Sequence, residues 1–332
     1  MKAAFIRETG EPSVIQYGDL PDPVPSRGQV LVRVGAVSVN PIDTYIRGGA
    51  NYWQLPQPYV IGSDFAGTVV ALGDGVSEYC VGDRIWGSNQ GLMGRQGCFS
   101  ELVAVDSQWV YPTPANVTDS QAAACALVGI TAHLGLIQRA RLASNETLFV
   151  RGGAGGVGTM VVQIAKSLGA RVIATAGGPT KVQLCQRLGA DQVIDYRSTD
   201  IASAVASFAP HGVNVFWETL REPDFDLAVA CMAENARMIL MAGRTARPEF
   251  PVGPFYVKGC SLMGFVMFKA SANEQRGCAQ DLNHWLATGQ IRPQIDRVLP
   301  LSEAAEAHRL QESHTIHKQS VLTGKIVLEI GA

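Results

Sequence analysis

Two stretches of this sequence combine residue types and spacing that could do chemistry. The denser is Thr147 to Gly158, TLFVRGGAGGVG, where a short apolar run enters a glycine cluster. Gly153, Gly155 and Gly158 satisfy G-x-G-x-x-G, and Thr159 to Leu168 continues with apolar residues at helical spacing. Strand, glycine turn and helix in that order make a phosphate-binding fingerprint. The first glycine permits a tight turn, the second lets backbone approach a pyrophosphate, and the third lets the helix pack on the strand. The helix N-terminus adds free N–H donors and a partial positive charge. The expected cradle is therefore Gly153, Ala154, Gly155, Gly156, Val157 and Gly158. A ligand-free glycine turn would carry the same letters, but the flanking pattern favours a dinucleotide site.

The second stretch bears on which dinucleotide. The strand after the fingerprint ends Ala174-Thr175-Ala176-Gly177-Gly178, without the Asp or Glu that would hold ribose hydroxyls and repel a 2′-phosphate. Lys181 follows at the start of the next helix. Tyr196 and Arg197 follow the third strand, whose end should lie beside the second. Any one Lys or Arg is commonly just a solvated surface charge. Two loops converging on one point favour NADPH over NADH.

The elements that must position these groups fall into two regions. Residues 1 to about 120 are β-rich, with strands over Lys2–Ile6 and Gln29–Val39, one within Val60–Leu72, and more at Gly82–Gly87 and Phe99–Val105, broken by glycine and proline. Many short strands of this kind suggest a barrel-like domain. An Ala-rich helix from Ser120 to about Gly135 follows a capping-box spacing at Thr118–Gln121. Strands and helices then alternate, with strands expected at Thr147–Arg151, Arg171–Ala174, Gln192–Asp195, Val213–Trp217, Ala236–Met241 and Ser261–Phe265. That alternation predicts an α/β, doubly wound parallel sheet. The expected division is residues 1–122 with 267–332, and 123–266. The tail, with a last strand Lys325–Ile330, should return to the first domain.

Composition narrows the class. The chain has 332 residues, 47% hydrophobic and 17% charged, with net charge −2. It is globular, and the absence of a basic stripe argues against a nucleic-acid partner. No apolar run reads as long enough to span a membrane, and the N-terminus lacks a signal-peptide core. Seven scattered cysteines without C-x-x-C imply reduced thiols and a cytoplasmic setting. The six histidines show no ligand spacing.

NPIDTYIRGG (Asn40–Gly49), IGSDFAG (Ile61–Gly67), GDRIWG (Gly82–Gly87), GITA (Gly129–Ala132), GGAGGVG (Gly152–Gly158), LGADQVIDYR (Leu188–Arg197), AGRTARPEF (Ala242–Phe250) and TGK (Thr323–Lys325) together resemble the medium-chain dehydrogenase/reductase superfamily. Within it the chain is similar to the zinc-independent NADPH:quinone oxidoreductases of the zeta-crystallin type. Gly152 departs from the alanine usual there, which leaves the phosphate turn intact. The resemblance implies a Rossmann domain beside a GroES-like catalytic domain. At the positions where the zinc branch carries ligands stand Asn40, Ser63 and Leu127, so no metal is expected. Without a Lewis acid, the acceptor should be a quinone or conjugated carbonyl that takes hydride directly. The rival readings are an alkenal or enoyl double-bond reductase and a non-catalytic, crystallin-like NADPH-binding protein.

The resemblance also assigns residues. Asn40 would donate to a quinone oxygen, and Tyr45 would donate or relay a proton; a turn cap and a packed aromatic are their plainer alternatives. Thr131 would approach the nicotinamide, with Phe265 and Val266 flanking it. Thr175, Gly177, Lys181, Tyr196, Gly243, Arg244 and Lys325 would hold the rest of NADPH, although Thr315–Leu322 looks like an insertion ahead of Lys325. Asp43 and Asp64 read as structural carboxylates, and Tyr52 and Trp53 as a candidate aromatic wall. The apolar strand Ser261–Phe265, near a sheet edge, suggests a homo-oligomer, and family analogy suggests a dimer.

Overall fold

Val30, Val32 and Val34 alternate with less buried neighbours, and Gln29–Ser38 is accordingly a ten-residue strand with one face in the core. The structure is a computed structural model and describes residues 1–50, 53–317, 319 and 322–331. Tyr52 lies outside the described residues. The chain divides into two units, Met1–Leu127 with Ala270–Ala332, and Val128–Lys269.

In the first unit, Gln29–Ser38 is the hub of a seven-stranded sheet. It pairs antiparallel with Asp64–Leu72, Leu102–Asp106 and Lys325–Glu329. Ile295–Pro300 extends the sheet beyond Lys325–Glu329, while Arg84–Gly87 and Val110–Pro112 extend it beyond Asp64–Leu72. The tail thus enters this sheet through its last strand. A smaller sheet joins Gln16–Asp19, Lys2–Ile6 and Tyr59–Val60. The strand expected within Val60–Leu72 is Asp64–Leu72; before it Gly62 takes φ 93°, and a Cβ there would fall 1.9 Å from the Phe99 ring. The later strand starts at Leu102 and not at Phe99. NPIDTYIRGG forms the helix Pro41–Arg47, begun by a proline whose missing N–H costs nothing in the first turn.

The second unit is one parallel sheet in the order Gln192–Asp195, Arg171–Ala176, Thr147–Arg151, Val213–Glu218, Met232–Leu240, Ser261–Gly264. Helices Gly156–Ser167, Pro179–Arg187, Ile201–Phe208, Phe225–Cys231 and Val252–Val257 connect the strands. Phe149, Ile173, Phe216 and Met238 lie in one buried cluster, and the Phe149 and Phe216 rings sit 4.8 Å apart. Strand order reverses between Thr147–Arg151 and Val213–Glu218, the switch point where open α/β sheets bind ligands.

The helix Asp119–His133 carries the chain from one unit to the next and continues as π-helical turns over Leu134–Arg139. Its 21 residues, Asp119–Arg139, are long and apolar enough to cross a membrane by length and composition, contrary to the expectation from sequence, yet 78% of the window is buried inside the protein. Gly135 shows why: a Cβ there would lie 2.1 Å from the Trp217 ring.

Candidate functional site

In the second unit, each glycine of the fingerprint meets a different constraint. A Cβ on Gly158 would fall 2.1 Å from the Gly152 carbonyl oxygen, so the helix can seat against the turn only without a side chain. A Cβ on Gly153 would fall 2.8 Å from the Ala174 Cβ. Gly155 differs. It caps the Gly156–Ser167 helix at φ −80°, which any residue adopts, and a Cβ would meet nothing nearer than the Gly152 oxygen at 3.5 Å. The protein itself leaves room for a side chain at Gly155, so a glycine there fits a group that must come close to the backbone. Ala154 is buried within the turn, and Gly156 and Val157 open the helix.

The turn is braced from two sides. The Gly152 N–H donates to Thr175 Oγ1 and the Gly153 N–H to the Thr175 carbonyl, both at 2.9 Å. Thr175 therefore holds the loop, its hydroxyl accepting from backbone. On the other side Arg151 pairs with buried Glu218 at 2.9 Å, and the Thr219 hydroxyl donates to the Arg151 carbonyl at 2.6 Å. Burial pushes the Glu218 carboxyl up, opposed by the Arg151 charge. Nothing in the sequence singled out this pair, because their partnership exists only once strands Thr147–Arg151 and Val213–Glu218 are neighbours.

At the end of Arg171–Ala176 the chain passes through Gly177 and Gly178 into the helix of Lys181. The neighbouring loop meets it there. A Cβ on Gly177 would lie 2.4 Å from the Tyr196 hydroxyl, and one on Gly178 2.9 Å from Arg197 Nη1. Asp195 ties the two loops, accepting the Gly178 N–H at 3.2 Å and the Arg197 N–H at 3.1 Å. The Tyr196 phenol is half exposed. A hydroxyl and a guanidinium thus stand over a glycine pair, with no acidic residue in Ala174–Gly178. Elsewhere in the unit, Thr131 is buried on the Asp119–His133 helix. Gly243, at φ 85°, follows Met232–Leu240, with Arg244 exposed beside it. Phe265 meets Trp217 edge-on at 6.4 Å, and Val266 is exposed.

The first unit holds a buried polar network that joins residues far apart in sequence. Asn40 is the N-cap residue of Pro41–Arg47, but its amide does not cap. Its Nδ2 donates to Asp64 Oδ2 at 2.7 Å, with only long contacts of 3.4 Å to Ser63 Oγ and the Ser38 carbonyl. Its Oδ1 accepts from the Lys325 ammonium, which also donates to the Val39 carbonyl at 2.6 Å. Asp64 is the hub, accepting further from Ser88 Oγ at 2.6 Å and the Leu127 N–H at 3.2 Å. Asp43 accepts the Asn40 N–H and Ser63 Oγ, both at 2.8 Å. Burial, with Asp64 nearby, pushes the Asp43 carboxyl up to about 7; burial also raises Asp64 and lowers Lys325.

These contacts bear on two assignments. Lys325 was expected to reach a cofactor, but its side chain is almost wholly buried, and two of its three N–H donors are committed to Val39 and Asn40. Asn40 was expected to offer its amide to a quinone oxygen, but its one short donor bond goes to Asp64. Tyr45, on the same helix, is half-buried. Trp53 is half-buried as well. Asn40 and Leu127 do converge on Asp64, as amide and backbone N–H, while the Ser63 hydroxyl beside them donates to Asp43. That donor set does not fit zinc, and among the described residues no group of three or more His, Cys, Asp or Glu is arranged to hold a metal.

Residues 26–115 match the alcohol dehydrogenase GroES-like domain, and residues 156–283 match the domain described as zinc-binding dehydrogenase. A solved structure described as an NAD-dependent alcohol dehydrogenase superposes with TM-score 0.90 at 28% identity, covering 100% of both chains. The Escherichia coli quinone oxidoreductase complexed with NADPH superposes with TM-score 0.85 at 25% identity, over 99% of this chain and 100% of that one. The fold and these matches define an oxidoreductase of the medium-chain dehydrogenase/reductase superfamily. The quinone oxidoreductase of Sus scrofa is 30% identical over 99% of this chain and 97% of its own length. The chain belongs to the quinone oxidoreductase family.

Proposed function

We propose that this protein is a cytoplasmic NADPH:quinone oxidoreductase that works without a metal. The carrying observation is the approach of the Tyr196 hydroxyl and Arg197 guanidinium to the Gly177–Gly178 pair, beside the Lys181 helix, with no acidic residue in Ala174–Gly178 and the nearby Asp195 carboxylate engaged by the Gly178 and Arg197 N–H groups. Among structural relatives, one is described as NAD-dependent and another as bound to NADPH. The local chemistry of these two loops favours the second. The backbone from Gly153 to Gly158 would hold the pyrophosphate, with the room beside Gly155 as its cradle, and Thr175 and Glu218 would keep that turn in shape. Gly243, Arg244, Thr131, Phe265 and Val266 complete the assigned cofactor contacts.

Bound NADPH would supply the hydride. A quinone accepts hydride without Lewis-acid help, so this chain's residues need to orient it and manage one proton. Tyr45 is the proposed proton donor. The Asn40–Asp64–Lys325 network would hold the acceptor side rigid, with Lys325 keeping one N–H beyond its two protein bonds. A second copy would pair along the exposed edge strand Ser261–Gly264, beside exposed Val252, Tyr256 and Val257, giving a homodimer.

The test is turnover of 1,4-benzoquinone and 2-hexenal with NADPH and NADH at equal low concentration. Faster quinone reduction with NADPH is expected; hexenal as the better acceptor, or equal rates with both cofactors, would contradict the reading. Tyr45→Phe with undiminished turnover at every pH would remove the phenol as donor, and light scattering checks the dimer.

A further inference from the structure

Asn89 stands out for its side-chain amide. It is fully buried, yet neither Nδ2 nor Oδ1 of its amide meets a hydrogen-bond partner among the described residues. Its backbone takes φ 68°, a left-handed conformation that Asn adopts more readily than most residues with a side chain. A buried amide left without partners is a substantial desolvation cost.

Its surroundings connect it to the network in the first unit. Ser88, the preceding residue, donates to Asp64 at 2.6 Å, and Asp64 accepts from Asn40. The Gln90 N–H, on the other side, donates to the Ser63 carbonyl at 3.3 Å, and its side chain donates to the Ser88 carbonyl at 3.1 Å. The Asn89 carbonyl accepts from Arg95 Nε at 2.9 Å. Backbone and both neighbours are thus held in place, while the amide of Asn89 itself has no partner among the described residues.

We infer that Asn89 binds the electron acceptor, its Nδ2 hydrogens donating to the carbonyl oxygen of a quinone and its Oδ1 accepting from the hydroxyl of the reduced product. An amide is suited to this pair because it carries donor and acceptor on one planar group. The assignment rests on the quinone reductase reading above.

The full-length protein carrying Asn89→Gly is the first test, since glycine accepts the left-handed backbone and removes the amide. Relative to wild type, Tm should hold or rise, NADPH affinity by fluorescence titration should stay the same, and kcat/KM for 1,4-benzoquinone should fall about tenfold. Asn89→Asp, which keeps the shape but lacks the Nδ2 donor, should lose quinone turnover similarly. Wild-type kcat/KM in a folded, NADPH-binding Asn89→Gly protein would overturn the assignment, and so would a collapse of its Tm, which would mark the amide as structural. Wild-type protein inert toward both benzoquinone and 2-hexenal would instead remove the parent reading, and the acceptor role with it.

Discussion

The side-chain oxygen of Asn40 accepts a hydrogen bond from the ammonium of Lys325, 285 positions later in the chain. Through the other end of the same amide, Asn40 reaches Asp64. One neutral side chain therefore links a buried cation to a buried carboxylate that form no direct ion pair. Replacing it with Asn40→Leu keeps the volume but leaves both groups short of a partner. The expected loss is about 2–3 kcal/mol of stability, read as a lowered urea midpoint at unchanged m-value. An unshifted midpoint would show that the amide is not the link.

The glycine turn separates packing from ligand binding. In Gly158→Ala the new methyl overlaps the Gly152 carbonyl, and stability should fall by about 1–3 kcal/mol. In Gly155→Ala the methyl meets only an ordinary contact, so stability should stay within about 0.5 kcal/mol of wild type. NADPH affinity should nevertheless drop by at least about tenfold, the equivalent of one lost hydrogen bond to a charged group. Thermal melts with and without NADPH separate the two; a Gly155→Ala protein with wild-type affinity would move the pyrophosphate elsewhere.

Cofactor choice is assigned to the loops after the second and third strands of the parallel sheet. Lys181→Ala should weaken NADPH by roughly 10- to 150-fold and leave NADH nearly unchanged, because only the former carries the 2′-phosphate. Calorimetric titration with both cofactors is the check. Equal weakening of the two would place Lys181 on another part of the nucleotide.

His308 predicts acid sensitivity. It is fully buried, neither ring nitrogen has a partner among the described residues, and burial, reinforced by the Arg47 charge, lowers its pKa from 6.5 to about 3. Phe99 stands edge-on to it at 6.2 Å. The folded state prefers the neutral ring, so this contribution to stability is complete above about pH 6.5 and is lost as pH falls toward 3, on the order of 5 kcal/mol in all. His308→Leu should flatten stability against pH across that window. A parallel curve for the variant would assign the acid limb to other groups.

Much of the second unit was legible because its signals are local. The run from Leu148 to Val150 is continuous and apolar, the glycines follow at once, and a helix must begin where they end. Each strand from Thr147–Arg151 to Ser261–Gly264 was placed to within a few residues for the same reason. The first unit was harder. Val60–Leu72 reads as containing a strand, but its start at Asp64 and the pairing of Tyr59–Val60 with Lys2–Ile6 in another sheet depend on distant partners. Likewise the helix Asp119–Arg139 has a composition that suits lipid as well as protein, and burial against its neighbours decides the matter.

From its letters alone the chain determined most strands and helices of the second unit, where the phosphate turn lies, and that no acid stands in Ala174–Gly178. Those properties depend on spacing over a few residues. Tertiary structure alone decided the partners of buried polar groups: that Asn40 turns to Asp64 and Lys325, that Glu218 meets Arg151, that Asn89 and His308 meet none among the described residues. A buried donor or acceptor bonds to what the fold brings within about 3 Å, and such neighbours are distant in sequence, so no short pattern records them.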